Sequence, residues 1–228
     1  MVKFLNKGYL WQCMVKKNNT NQTIWKLVQL DLAIQKDLHR QIINTRALAK
    51  YLIKKYGLSQ SGLDAVISAI RRFESEEPFE EEEKILHHIF KESVVSTRNN
   101  IACLTLSLTV NDLVKRWANA GKLPPARITT GRRTIKIMVD QPDISMFKAM
   151  FASDEIMKLE ESLSEICIVV SERAILTKGV MARIANELTL ANINIHELIV
   201  CPPEFLIYVK QQDIVRAHES VLKLCQTQ

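Results

Sequence analysis

The sequence predicts an α+β protein in which an all-helical first third precedes two copies of a ferredoxin-like βαββαβ unit. Three observations predict it. Apolar residues recur at three- and four-residue spacings between residues 24 and 73. From residue 100 the pattern changes to short alternating runs separated by helical stretches. The order strand, helix, strand, strand, helix then occurs twice, at roughly 60 residues per cycle.

Residues 1–21 read as an N-terminal extension. "MVKFLNKGYLWQCM" carries basic residues but no continuous apolar core and no small-residue cleavage site. No signal peptide is expected, and Met14 is a second candidate start. No apolar run approaches the roughly 20 residues of a membrane helix.

Residues 22–73 predict a helix-turn-helix-like domain of three helices. "TIWKLVQLDLAIQKDLHRQI" places Ile24, Leu27, Val28, Leu32 (or Asp31), Ile34 and Leu38 at helical period. Asn44 or Thr45 caps the next helix, which carries Leu48, Leu52 and Tyr56 on one face and ends at Gly57. "GLDAVISAIRRFE" then buries Leu63, Val66, Ile67, Ile70 and Phe73. "ESVVST" and "NIACLTLSL" predict a hairpin, either a wing for this domain or the first strand of the next.

Charge divides the chain further. Residues 1–73 hold 13 Lys and Arg against 3 acids; residues 74–84, "ESEEPFEEEEK", hold 7 Glu against one Lys. Residues 74–91 therefore read as an acidic linker. The basic third has the charge that phosphate contacts require. On a DNA-binding reading, Ser59, Gln60 and Ser61 occupy the base-reading start of the third helix, and Lys54, Lys55, Arg71 and Arg72 meet phosphates. Against it, the third helix is poor in base-reading residues and Asp64 opposes phosphate. A bundle used for dimerisation or docking is the other reading of the same apolar faces.

Residues 92–160 form the first predicted βαββαβ unit. "IACLTLSL" is a strand, and "TVNDLVKRWANAGK" a helix capped by Thr109 and ended by Gly121. "ARITTGRRTIKIMVD" is a hairpin about Thr130-Gly131, and a helix starts at Pro142-Asp143. "EIMKLE" closes the unit as a short strand. Residues 161–228 repeat the cycle. "SEICIVV" is a strand, "KGVMARIANELTLA" a helix, "INIHELIV" and "EFLIYVK" a hairpin about Pro202-Pro203, and "QDIVRAHESVLKL" a helix.

The five cysteines (13, 103, 167, 201, 225) and five histidines have no metal-ligand spacing, and the thiols fit a reducing cytoplasm. No nucleophile–base arrangement has a supporting context, and His196-Glu197 read as strand neighbours on opposite faces. No metal, cofactor or catalytic centre is expected.

The second unit resembles the second ACT domain of aspartokinases. The resemblance rests on Val169-Val170, the loop Ser171–Lys178, Gly179-Val180, Ala182-Arg183 and Asn192-Ile193-Asn194-Ile195, and covers about 70 residues. "EIMKLEESLSE" resembles the strand and acidic turn joining the two ACT units there. The first unit matches only in topology, and "LSLTVNDLVKRW" lacks the loop glycine. The aspartokinase catalytic domain has no counterpart, since residues 1–90 hold no Gly-rich phosphate loop. Joining a helix-turn-helix to an ACT-like unit resembles, in architecture, the Lrp/AsnC regulators.

The resemblance implies an amino-acid site at the loop-to-helix junction, in a homodimer paired through ACT sheet edges. Lys178, Gly179, Val180 and Met181 would receive a carboxylate at the helix start. Asn192, Asn194 and Ile195 would complete the site. The plain alternative is that Gly179 only permits a turn and the unit only dimerises. The implied function is an amino-acid-sensing regulator that binds DNA; the alternative is a non-catalytic subunit controlling a biosynthetic enzyme.

Overall fold

The computed structural model describes residues 20–58, 62–73 and 79–226. The chain divides into two units, Met1–Phe79 and Glu80–Gln228. Among the described residues, no helix is long and apolar enough to cross a membrane.

The first unit contains helices α1 (Thr20–Gln29), α2 (Leu32–His39), α3 (Thr45–Tyr56) and α4 (Leu63–Arg71). The single helix expected over 24–38 is two. Its apolar stripe slips between Leu30 and Leu32, both of which are exposed. There Asp31 turns out of helical geometry and its carboxylate accepts the Ile34 N–H at 3.2 Å, starting α2 afresh. Asn44 caps α3 by accepting from Arg46 and Ala47, each at 3.0 Å, and Gly57 ends it in the left-handed region at φ 64°. Ile24, Leu27, Val28, Leu48, Ala49, Leu52, Val66 and Ile70 form the core of this unit. The Trp25 indole donates to the Ala69 carbonyl at 2.8 Å, giving a half-buried polar edge its partner.

The expected acidic linker is largely helical: residues 79–91 form α5 (Phe79–Lys91). Its first turn carries Glu80, Glu81 and Glu82, which suit the positive end of a helix dipole. Leu86, Ile89 and Phe90 follow at helical spacing and are buried in the second unit's core. Residues 94–106 form one strand, β1 (Val94–Leu106), and not a hairpin or wing.

Beyond β1 the second unit runs α6 (Val110–Asn119), β2 (Arg127–Thr130), β3 (Ile135–Asp140), α7 (Ile144–Lys148), β4 (Ile156–Val169), α8 (Arg173–Leu176), α9 (Val180–Leu190), β5 (Glu197–Cys201), β6 (Glu204–Lys210) and α10 (Ile214–Gln226). Six strands make one antiparallel sheet in the order β2-β3-β1-β4-β6-β5. The two strands expected either side of residue 160 are a single strand, β4, that runs through the expected unit boundary.

The sheet resolves into two ferredoxin-like halves that interlock. One half takes its first strand from the end of β1 and its fourth from the start of β4. The other takes its first strand from the end of β4 and its fourth from the start of β1. Each long strand changes roles at a bulge, where Asn100 (φ 57°) and Ser162 (φ 56°) adopt left-handed geometry. The extra residue shifts side-chain parity. Val95 and Leu104 therefore both face the helices, although their separation is odd. The second half packs α5, α9 and α10 over Ile166, Ile168, Phe205 and Ile207. The first half packs α6 and α7 over Leu104, Ile135, Ile137 and Val139. On the opposite sheet face lies a small core of Ile101, Cys103, Met138, Leu163, Leu206 and Tyr208.

Candidate functional site

The two halves begin their first helices differently. In the first half the Thr109 hydroxyl accepts the Asp112 N–H at 3.3 Å and donates to the Asp112 carboxylate at 2.6 Å. The hydroxyl contact holds the Asp112 carboxyl below its usual range. A carboxylate of the chain itself therefore occupies this helix start. In the second half α9 begins after Gly179, at φ 88°, with no side-chain cap. The short helix α8 and the exposed Lys178 lead into it. Val180 is buried and Met181 is half exposed. A β-carbon at Gly179 would meet the Leu86 δ-carbon of α5 at 3.5 Å, an ordinary contact, so it is the positive φ rather than the packing that calls for glycine.

The remaining expected ligand residues sit at the other end of α9. Asn192, at φ 55°, donates its N–H to the Thr189 carbonyl at 2.9 Å, and Ile193 donates to Leu188 at 2.9 Å. This is a Schellman closure of the helix, with Ile193 and Leu188 buried together. Asn194 is exposed, and Ile195 packs against the core. An 11-residue helix spans about 16 Å, so within one chain Lys178–Met181 and Asn192–Ile195 do not converge.

A charged constellation that the sequence reading did not single out lies on the face away from the helices. Strand register makes two cross-strand rows: Arg127, Met138, Cys103 and Glu160 in one, Glu197, Tyr208, Glu165 and Arg98 in the other. The sheet curls so that the rows meet. Glu165, only 1% exposed, accepts from Arg127 Nη1 and from the Tyr208 hydroxyl, each at 2.5 Å. Burial, reinforced by the Glu165 carboxylate, keeps the Tyr208 hydroxyl protonated far above the usual phenol range. Burial opposes the charge of Arg127, but Tyr208, Glu165 and Glu204 outweigh it and leave the guanidinium more firmly protonated than usual.

Arg98 donates to Asp140 at 2.6 Å at the edge of this cluster. Arg98, Ile101, Pro125, Arg127, Met138 and Asp140 are among the residues lining a cleft of about 240 Å3. At the far side Lys136 pairs with Glu197, which raises the lysine's pKa. His196 Nδ1 lies 3.3 Å from Glu160, and its Nε2 is buried without a hydrogen-bond partner. His196 and Glu197 are thus engaged with separate partners. The signal for these residues was Glu165 directly before the apolar run "ICIVV", and Arg127 and Lys136 set among the apolar residues of the first hairpin. Their partners were not readable, because the curl brings distant strands together.

In the first unit Lys54 and Lys55 lie exposed near the end of α3, and Arg71 and Arg72 at the end of α4. Lys55 donates to the Tyr51 hydroxyl at 2.7 Å and lies 5.0 Å from that ring's centre. Ser59, Gln60 and Ser61 lie outside the described residues.

No protein-family model matches the chain. No curated protein matches it. Among solved structures, 58% of the chain aligns with 34% of an aspartate kinase from Clostridium acetobutylicum, at 12% identity and TM-score 0.49. Aspartokinase III of E. coli, in complex with aspartate and ADP, aligns over 57% of this chain and 33% of its own, at 16% identity and TM-score 0.48. The regulatory subunit of aspartate kinase from Thermus thermophilus aligns over 57% of this chain and 95% of its own, at 14% identity and TM-score 0.45. The chain thus spans about a third of the length of the first two kinases.

Proposed function

We propose that this chain is a non-catalytic regulatory protein that senses an amino acid through its ACT-like second unit. The observation that carries the reading is the contrast between the two helix starts. Asp112 fills the start of α6, whereas α9 opens after Gly179 with no side-chain cap. Backbone N–H groups there suit a ligand carboxylate, and Lys178 adds positive charge beside them. Because Asn192 and Asn194 stand at the opposite end of α9, the ligand's second contact comes from another ACT-like unit across a homodimer. Binding then favours one arrangement of paired units, provided that the ligand's affinity differs between arrangements.

The output of the sensor is the basic first unit. On our reading it binds DNA as a helix-turn-helix-like domain, with Lys54, Lys55, Arg71 and Arg72 on phosphates and Ser59–Ser61 toward bases. Docking of a biosynthetic enzyme is the alternative, favoured by α4, whose exposed positions include Asp64 and Ala65 rather than base-reading amides.

The test is thermal unfolding of the full chain against each of the twenty amino acids. A ligand at about 100 times its Kd adds roughly 2.7 kcal/mol. One or two amino acids should raise Tm, and Gly179→Val should remove that rise while keeping the circular dichroism spectrum. No rise with any amino acid overturns the sensor. Salt-dependent retention on DNA then supports the DNA output, and salt-independent binding to a purified biosynthetic enzyme supports the alternative.

A further inference from the structure

The geometry points to a second small-molecule site at the mouth of the curled sheet, taking the zwitterionic head of an apolar α-amino acid. It lies apart from the Gly179 junction and rests on its own side chains. Arg98, Arg127 and Asp140 all line the cleft, together with Ile101, Met138 and Val139. Its volume of about 240 Å3 falls below the roughly 300–1,000 Å3 typical of drug-sized ligands, which suits an occupant of amino-acid size.

The polar groups are held in place from behind. Glu165 and Tyr208 are buried and hydrogen-bonded to each other, and Glu165 grips one Nη of Arg127. A guanidinium has five N–H donors in a fixed fork, so this grip orients Arg127 without exhausting it. Arg98 and Asp140 stand at the mouth, with side chains 48% and 50% exposed. A half-exposed ion pair of this kind is screened by solvent and contributes little to stability, so opening it to admit a ligand costs little.

Glu165 already lies 4.0 Å from Arg98 Nη1 and holds Arg127 Nη1. A ligand that opens the Arg98–Asp140 pair therefore sets its carboxylate on Arg98 and on the Arg127 donors that Glu165 leaves over, and its ammonium on Asp140. The ligand's side chain then meets Ile101 and Met138, which share this face of the sheet. An additional carboxylate would face that apolar wall without a partner, so acidic amino acids are disfavoured. The neutral head and apolar tail define the class.

The experiment is calorimetric titration of the full chain with L-leucine, L-isoleucine, L-valine and L-methionine. Leucine's two halves, 3-methylbutylamine and 4-methylpentanoate, serve as controls. At least one of the four amino acids should bind saturably, and each control should bind about tenfold or more weakly. Arg98→Met and Asp140→Asn should each weaken binding about tenfold or more, as expected for losing a charge-assisted contact. The exchanged variant R98D/D140R keeps an ion pair on the surface, guarding against misfolding, and should also lose binding. Gly179→Val should leave this binding intact. Failure of all four amino acids, or binding unchanged in the Arg98 and Asp140 variants, overturns the site. Binding lost in Gly179→Val but kept in Asp140→Asn also overturns it, while supporting the junction as the sensor.

Discussion

Lys136 on β3 and Glu197 on β5 form an ion pair although β1, β4 and β6 lie between their strands. On a flat sheet, strands four positions apart would be about 19 Å apart. The pair therefore measures how far the sheet curls. Its electrostatic logic is visible in the facing rows, where interlocked halves give Arg127 and Glu197 equivalent places with opposite charge.

From this follows a coupling between the two edges of the sheet. Lys136→Met and Glu197→Gln should each lower stability by about 1 kcal/mol, because both side chains are partly screened by solvent. In a double-mutant cycle the two changes should fail to add by a similar amount. Exchanging them, as K136E/E197K, should restore most of the loss. Additive effects in urea denaturation of the full chain would show that the contact does not hold the curl.

The centre of the curl should behave differently from its edge. Arg127→Met leaves the buried Glu165 with only the more distant Arg98, at 4.0 Å, a change expected to cost about 3 kcal/mol. Removing both charges, as R127M/E165L, should recover much of that loss, since apolar replacements of a buried pair are often neutral. Tyr208→Phe removes only one donor to Glu165 and should cost about 1–3 kcal/mol. The order of unfolding midpoints tests the assignment: Arg127→Met should stand below the double variant.

The order of helices and hairpins was legible because local chemistry marks it. Asn44 and Thr109 act as caps, Gly57 and Gly179 adopt positive φ, and the last hairpin turns at Pro202-Pro203 as predicted, while the first turns at Arg132-Arg133, two residues beyond Thr130-Gly131. The long strands were not legible. "RNN" at 98–100 has the composition of a turn, yet Asn100 makes a bulge and β1 continues through it. Helix α5 was hidden by its glutamates, whose like charges suggested a solvated linker and drew attention from Leu86, Ile89 and Phe90. At the candidate site, Gly179 was readable as a special backbone position. The clustering of Arg98, Arg127, Asp140 and Glu165 depends on the curl, which one strand's period does not encode.

Acid should loosen the curl through Glu160. Burial alone would raise its pKa, but Lys158 and His196 pull it below the ordinary 4.5. A carboxyl with a depressed folded pKa contributes stability above the unfolded value. That contribution is lost as pH falls through the folded value. The wild type should therefore lose stability from about pH 5 downward, and Glu160→Gln should flatten that part of the profile. Parallel profiles for the two proteins, measured by urea midpoints, would remove Glu160 from the acid response.

Asn192 offers the sharpest separation of a structural role from a ligand role. It occupies the left-handed position that closes α9, with its N–H on Thr189 and the Ile193 N–H on Leu188. Glycine reaches that conformation without steric cost, so Asn192→Gly should keep stability within about 0.5 kcal/mol. A β-branched residue pays the left-handed penalty, so Asn192→Val should lose about 1–2 kcal/mol. If closure is its only task, Asn192→Gly should also leave amino-acid-induced stabilisation unchanged. Loss of that stabilisation in the glycine variant, with Tm otherwise kept, would place the Asn192 amide in a ligand site. Because α9 separates it from Gly179, that site would be completed by a second protomer, and binding would then depend on protein concentration.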